Sequence, residues 1–210
     1  MPNRRRFRQR PKKTTVHVDP SILFHSLPRW HFRSRRLWRD LPPGMADWLL
    51  DSGSLTQRLR RVCGGRFRVC VLRQGWSRPD RDEARILGLR LDAWAWVREV
   101  HLLCDERPWV FARTLIPART LRGRGRRLTR LGTRPLGQAL FADPGVRRGP
   151  VEIARIVVGQ RLCRQAFAGR GKALDAIWGR RSVFWIEECP LLVCEIFLPD
   201  LPVSACHRPD

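Results

Sequence analysis

Polar and apolar residues alternate along several short runs of this chain, and such alternation predicts β-strands. The run from 190 to 199 reads PLLVCEIFLP, and in a strand Glu195 would share a face with Val193 and Phe197. A carboxylate among apolar side chains is costly to bury unless a partner faces it. Glu195 is therefore a candidate functional residue, and a structural ion pair with an arginine is the alternative.

A second run, from 93 to 104, carries a cation in the same kind of position. Its alternation places Arg98 on the face of Trp96, and after a short polar turn another β-rich run covers 108 to 117. Two such runs predict a hairpin. An arginine and a glutamate on apolar strand faces indicate a dry pocket for a small molecule that carries an acid and a hydroxyl. A buried Arg98–Glu195 ion pair without a ligand is the alternative.

Three further runs, over 66–74, 151–158 and 182–188, also have strand patterns, which makes six predicted strands. Residues 45–50 and 55–62 have helical spacing. No alternation of strands and crossover helices appears along the chain. The pattern therefore predicts an α+β fold with a mainly antiparallel sheet.

Length and composition indicate one domain. The 210 residues, 43% of them hydrophobic, can bury a substantial core. Residues 1–27 are polar, basic and aperiodic, which predicts a disordered extension before a single domain at 28–203 and a tail at 204–210. No apolar run approaches the ~20 residues of a membrane span. No secretory signal is recognisable, so we expect a cytoplasmic chain, and we expect it to be a monomer.

The net charge of +23 raises the question of nucleic-acid binding. The arginines are spread along the chain, however, and no recognition motif accompanies them. We therefore expect no obligatory nucleic-acid partner. The basic extension predicts only a weak association with anionic surfaces or membranes.

The cysteines and histidines show no metal-ligand spacing, so we expect no metal site. An odd number of cysteines, seven, in a cytosolic chain predicts reduced thiols. Cys70, Cys104 and Cys194 lie within strand patterns, where we expect small core residues.

Several segments, taken in order, resemble the chorismate pyruvate-lyase family over residues 28–200. They are DSGSLT at 51–56, WVREV at 96–100, PWVFART at 108–114, LGTRPLG at 131–137, WGRRS at 178–182 and PLLVCEIFLP at 190–199. One stretch departs from the shorter family members, because residues 161–171 are extra, and we expect an inserted loop there.

The resemblance implies a six-stranded antiparallel sheet whose small ligand pocket is closed by two helical flaps. It implies conversion of chorismate to 4-hydroxybenzoate and pyruvate, the first committed step of ubiquinone synthesis, without any cofactor. By resemblance, Arg98 and Glu195 are the catalytic residues and also bind substrate and product. The main chain of Leu55 and of Leu136, one in each flap, is implied to help hold the aromatic acid.

Chorismate carries two carboxylates, and a buried arginine is a natural clamp for one of them. The elimination removes the enolpyruvyl ether at C3 and the hydrogen at C4, which leaves an aromatic ring. Glu195 either protonates the departing group as a general acid or only holds the 4-hydroxyl. The alternative function is a non-catalytic sensor domain of the same fold. Such regulators also carry a DNA-binding domain, which residues 1–27 are too short to supply.

Overall fold

The computed structural model describes residues 27–32, 39–167 and 175–203. The predicted N-terminal extension, apart from residue 27, and the predicted tail at 204–210 lie outside these residues. The predicted domain boundaries therefore stay predictions.

The described strands form one antiparallel sheet of seven strands in the order β1-β2-β3-β7-β6-β4, with β5 paired to β6. They are β1 (Phe67–Ser77), β2 (Ala95–Cys104), β3 (Arg107–Pro117), β4 (Val146–Arg148), β5 (Glu152–Val157), β6 (Ala176–Ile186) and β7 (Cys189–Phe197). The predicted α+β class with an antiparallel sheet is confirmed. The predicted number of six strands is wrong, because β4 has only three residues, VRR, which are too few for a strand pattern to be recognised.

Helices connect the strands and cover the sheet. They are α1 (Met45–Leu50), α2 (Leu55–Cys63), α3 (Arg81–Ile86), a 3₁₀-helix (Arg124–Arg130), α4 (Leu136–Phe141) and α5 (Arg161–Phe167). The inserted loop predicted at 161–171 is wrong for its first part, because α5 buries Cys163 and Ala166 on one helical face. In the described part of the chain, no helix is long and apolar enough to cross a membrane.

The two faces of the sheet bury different kinds of side chain. The face covered by α2 and α4, which we call the pocket face, carries an apolar surface around Arg98. The back face buries an ionic cluster, in which Arg113 is 1% exposed and contacts the carboxylates of Glu83 and Glu99. Because neighbouring residues of a strand point to opposite faces, Arg98 and Glu99 belong to these two different environments.

The prediction that the cysteines are reduced thiols is wrong for two of them. Cys63 at the end of α2 and Cys104 at the end of β2 form a disulfide, with their Cα atoms 5.7 Å apart. The sequence separation of 41 residues gave no sign of this pairing. Cys104 and Cys194 are buried as expected, whereas Cys70 is exposed, on the face of β1 opposite to the buried Val69.

Candidate active site

A cavity between the pocket face and helices α2 and α4 brings together all four predicted site residues. Arg98 on β2, Glu195 on β7, Leu55 and Leu136 line it. The rest of its wall is mostly apolar, including Phe184. The structure therefore places Arg98 and Glu195 together in one mostly apolar cavity.

The cavity is closed by the N-terminal ends of two helices. Leu55 is the first residue of α2 and Leu136 is the first residue of α4. The helices approach closely at Gly137, where a Cβ atom would lie 3.3 Å from Thr56 Oγ1. The centre of a water-sized molecule can move through about 50 Å³ of this cavity, so the two helices leave only a narrow space over the sheet.

The guanidinium of Arg98 is held by neutral oxygen atoms. Nη1 donates to Gln74 Oε1 at 3.1 Å and to the Gly132 carbonyl at 2.8 Å, and Nη2 donates to the Arg134 carbonyl at 3.2 Å. Of the five guanidinium N–H groups, Nε–H and one Nη2–H find no acceptor among the described residues. These two atoms form the edge that a carboxylate can contact in a bidentate manner.

Arg98 differs in this respect from the other deeply buried arginines. Arg113, Arg180 and Arg181 each form an ion pair with at least one carboxylate. Arg98 is 3% exposed and has no carboxylate partner in the described part of the chain. Burial lowers the pKa of Arg98 from its ordinary value, because the cation has lost its hydration. An anionic ligand would compensate this cost.

Glu195 is paired, but with a residue that the sequence interpretation missed. Arg180 Nε donates to Glu195 Oε2 at 2.5 Å, and the two residues lie opposite each other on β6 and β7. The alternative of a structural Arg98–Glu195 ion pair is therefore wrong. The available signal was the WGRRS segment at 178–182, which carries part of the family resemblance and lies in β6, whereas the apolar pattern predicts that strand only from residue 182.

Arginines also hold the turn that precedes α2. Arg180 Nη1 donates to the carbonyls of Trp48 and Asp51 at 2.9 and 2.7 Å. Arg148 Nη1 donates to the carbonyls of Asp51 and Ser52 at 3.4 and 2.9 Å. Helix α2 forms the first flap. Because Arg180 contacts both Glu195 and the segment before α2, it links the position of this flap to the Glu195 end of the cavity.

Metal-ligand geometry occurs away from this cavity. Within the described residues, the one cluster with suitable spacing consists of Cys63, Cys104 and Asp105. Its two sulfur atoms are bonded to each other, and thiolates are the form that binds metals. The cavity residues themselves suit an organic anion.

Comparison with known structures describes the fold. The effector domain of PhnF from Mycobacterium smegmatis superposes with a TM-score of 0.52 and 18% sequence identity, covering 72% of this chain and 91% of that one. At this level of identity the likeness concerns the architecture alone.

Comparison of sequences is more specific. The chain is 49% identical over 165 residues to a probable chorismate pyruvate-lyase of Methylococcus capsulatus, covering 77% of this chain and 100% of that protein. It is 46% identical over 178 residues to a probable chorismate pyruvate-lyase of an Azoarcus species, covering 80% of this chain and 94% of that protein. The model of the chorismate lyase family matches residues 32–204. The chain therefore belongs to the chorismate lyase family.

Proposed function

We propose that this protein eliminates pyruvate from chorismate to give 4-hydroxybenzoate, in the pathway to ubiquinone. The observation that carries the proposal is Arg98, a buried cation without a carboxylate partner among the described residues, in a cavity whose wall is mostly apolar. A substrate carboxylate supplies the missing charge. Family membership is consistent with this reaction.

The two charged residues suit opposite ends of one ring. Strand β3 lies between β2 and β7, so Arg98 and Glu195 are separated by its small residues Ala112 and Thr114. Both residues line the cavity. A six-membered ring over these two side chains would present its carboxylate to Arg98 and its para hydroxyl, at C4, to Glu195.

In the reaction, the bond between C3 and the ether oxygen breaks and the hydrogen at C4 is lost. The ring becomes aromatic, and the departing enolpyruvyl group gains that proton and becomes pyruvate, so the atoms balance. Aromatisation supplies much of the driving force. Holding the substrate in a reactive geometry is then a major contribution of the protein.

We propose that Glu195 acts by orienting the 4-hydroxyl. Its Oε2 accepts the hydrogen bond from Arg180, which leaves Oε1 to accept from the ligand. A carboxylate in an ion pair is a strong acceptor, and this role needs no proton on Glu195. The general-acid role requires the proton and is the competing hypothesis.

The proposed reaction is tested by incubating purified protein with chorismate alone and following 4-hydroxybenzoate and pyruvate. We expect both products in equal amounts, with no added metal or cofactor. A folded protein that binds 4-hydroxybenzoate but leaves chorismate unchanged would contradict the proposal. That result would favour the sensor-type function.

A further inference from the structure

The second carboxylate of chorismate has no assigned partner in the site described so far. It belongs to the enolpyruvyl group on C3, and C3 is bonded to C4, which carries the hydroxyl. If the ring carboxylate lies on Arg98 and the hydroxyl on Glu195, the enolpyruvyl group must lie at the Glu195 end of the cavity. This step rests on the proposed function.

Arg148, the last residue of β4, is not part of the cavity wall, but it lies near enough to Glu195 for the two charges to interact. Its guanidinium carbon is 5.4 Å from the ring centroid of Phe184, which is part of the cavity wall. Arg148 Nε donates to Ser182 Oγ at 3.2 Å, and Nη1 donates to the two carbonyls of the turn before α2. Three of its N–H groups are thereby fixed in direction. No acceptor for Nη2 is found among the described residues.

The charge at this end of the cavity is also unbalanced. Three arginines, Arg148, Arg180 and Arg58, lie near only two carboxylates, those of Glu195 and Asp51. Burial lowers the pKa of Arg148 from its ordinary value, and the charge of Arg180 lowers it further. The Arg148 guanidinium remains a cation at neutral pH because its pKa starts so high. One additional anion would balance the group.

We propose that Arg148 binds the enolpyruvyl carboxylate of the substrate through Nη2. Arg98 then binds the carboxylate that substrate and product share, whereas Arg148 binds the one that leaves with pyruvate. Arg148 therefore favours chorismate over 4-hydroxybenzoate. Once the ether bond is broken, pyruvate is the only product that still contacts it.

A purely structural role for Arg148 makes a different prediction. If Arg148 only holds the turn before α2, its loss would disturb the flap and weaken the binding of every ligand. Substrate and product would then lose affinity together. The ratio of the two effects therefore distinguishes substrate binding from support of the flap.

The experiment compares Arg148→Gln and Arg148→Lys with a matched control, Arg147→Gln. Arg147 is the neighbouring residue on β4, but its side chain is exposed and lies beside Trp185 and Glu188. For each protein, kcat/KM for chorismate is measured, and the dissociation constant of 4-hydroxybenzoate is measured by calorimetry. Thermal melts establish that each variant is folded.

We expect Arg148→Gln to lower kcat/KM for chorismate by about 10- to 150-fold, the range for loss of a charged hydrogen bond. Its affinity for 4-hydroxybenzoate should stay within about threefold. Arg148→Lys should recover part of the loss, and Arg147→Gln should behave as wild type. Equal losses for both ligands, or unchanged chorismate kinetics, would overturn the assignment. A wild-type protein that does not convert chorismate would instead contradict the proposed function itself.

Discussion

Arg180 donates from Nε to Oε2 of Glu195 across 2.5 Å, and these two residues are direct neighbours on adjacent antiparallel strands. The Arg180 side chain is 1% exposed and that of Glu195 is 18% exposed. The same guanidinium also binds two carbonyls of the first flap. The pair therefore has a structural role as well as a place in the cavity.

Replacing Arg180 should destabilise the fold strongly. Arg180→Met leaves the Glu195 carboxylate without its cation and removes the Arg180 hydrogen bonds to the carbonyls of Trp48 and Asp51. Breaking one partner of a buried pair costs about 3–5 kcal/mol, so we expect the free energy of unfolding to fall by about that amount. Urea denaturation monitored by tryptophan fluorescence measures it.

The control is the double variant Arg180→Met with Glu195→Gln. Because it also removes the unpaired carboxylate, its loss should be smaller than the sum of the two single losses. Strictly additive losses would show that the two side chains do not interact in solution.

Replacing Arg98 should reduce binding more than stability. Its partners are neutral oxygens, so Arg98→Met removes a buried charge that has no counter-ion within the described residues. We expect the affinity for both chorismate and 4-hydroxybenzoate to fall by about 10- to 150-fold. The loss of unfolding free energy should be smaller than for Arg180→Met. Calorimetric titration and urea denaturation on the same samples measure both.

Arg134→Ala is the matched control for Arg98. Arg134 contacts the Arg98 guanidinium through its backbone carbonyl, which the substitution retains, and its side chain is exposed. We expect ligand affinity within about threefold of wild type. If Arg98→Met leaves ligand affinity unchanged, Arg98 does not bind the carboxylate.

Glu195→Gln separates the two roles considered for this residue. A glutamine can still accept a hydrogen bond from the 4-hydroxyl, but it cannot supply an acidic proton. If Glu195 orients the hydroxyl, kcat and product affinity should each fall by only about tenfold, the difference between a charged and a neutral hydrogen bond. Steady-state kinetics and product titration measure the two effects. A kcat loss of ~10²–10⁴ with product affinity retained would instead indicate a general acid.

Sequence reasoning identified the charged residues of the cavity because both break an apolar strand face. Arg98 and Glu195 stand out by alternation alone, whereas the positions at Leu55 and Leu136 came from the family resemblance. A contact made by the main chain does not depend on the type of side chain, so a sequence pattern cannot reveal it. The structure gives these two leucines a common feature, since each is the first residue of a flap helix.

Long-range pairings could not be predicted in the same way. Arg180 lies in a segment whose apolar pattern is interrupted by glycine and two arginines. The pattern therefore predicts the strand only from residue 182, whereas β6 begins at residue 176. The Arg180 partners Trp48 and Asp51 are 132 and 129 residues away. Such contacts depend on how the turn before α2 packs on the sheet, which no local pattern specifies.

Deleting residues 1–27 should leave catalysis nearly unchanged. The segment has no core pattern, and the cavity is built from residues 55–195. We expect kcat and KM for chorismate within about twofold of the full chain, together with weaker retention on heparin and on anionic vesicles, because seven of the cationic residues are removed. Steady-state kinetics and salt-gradient elution test these outcomes. A large loss of turnover would place part of the extension in the site.

Breaking the disulfide between Cys63 and Cys104 should destabilise the protein and loosen the first flap, because the bond ties the end of α2 to the end of β2. For a loop of 41 residues, the chain-entropy estimate is about 4 kcal/mol. We expect Cys63→Ser to lower the melting temperature by about 8–16 °C, since 1 kcal/mol corresponds to ~2–4 °C at this size. Cys70→Ser, at an exposed free thiol, should have little effect.

Peptide mapping without reductant should recover a linked pair containing residues 63 and 104. If these two thiols are instead found free in folded protein and Cys63→Ser melts like Cys70→Ser, the bond does not contribute to stability in solution.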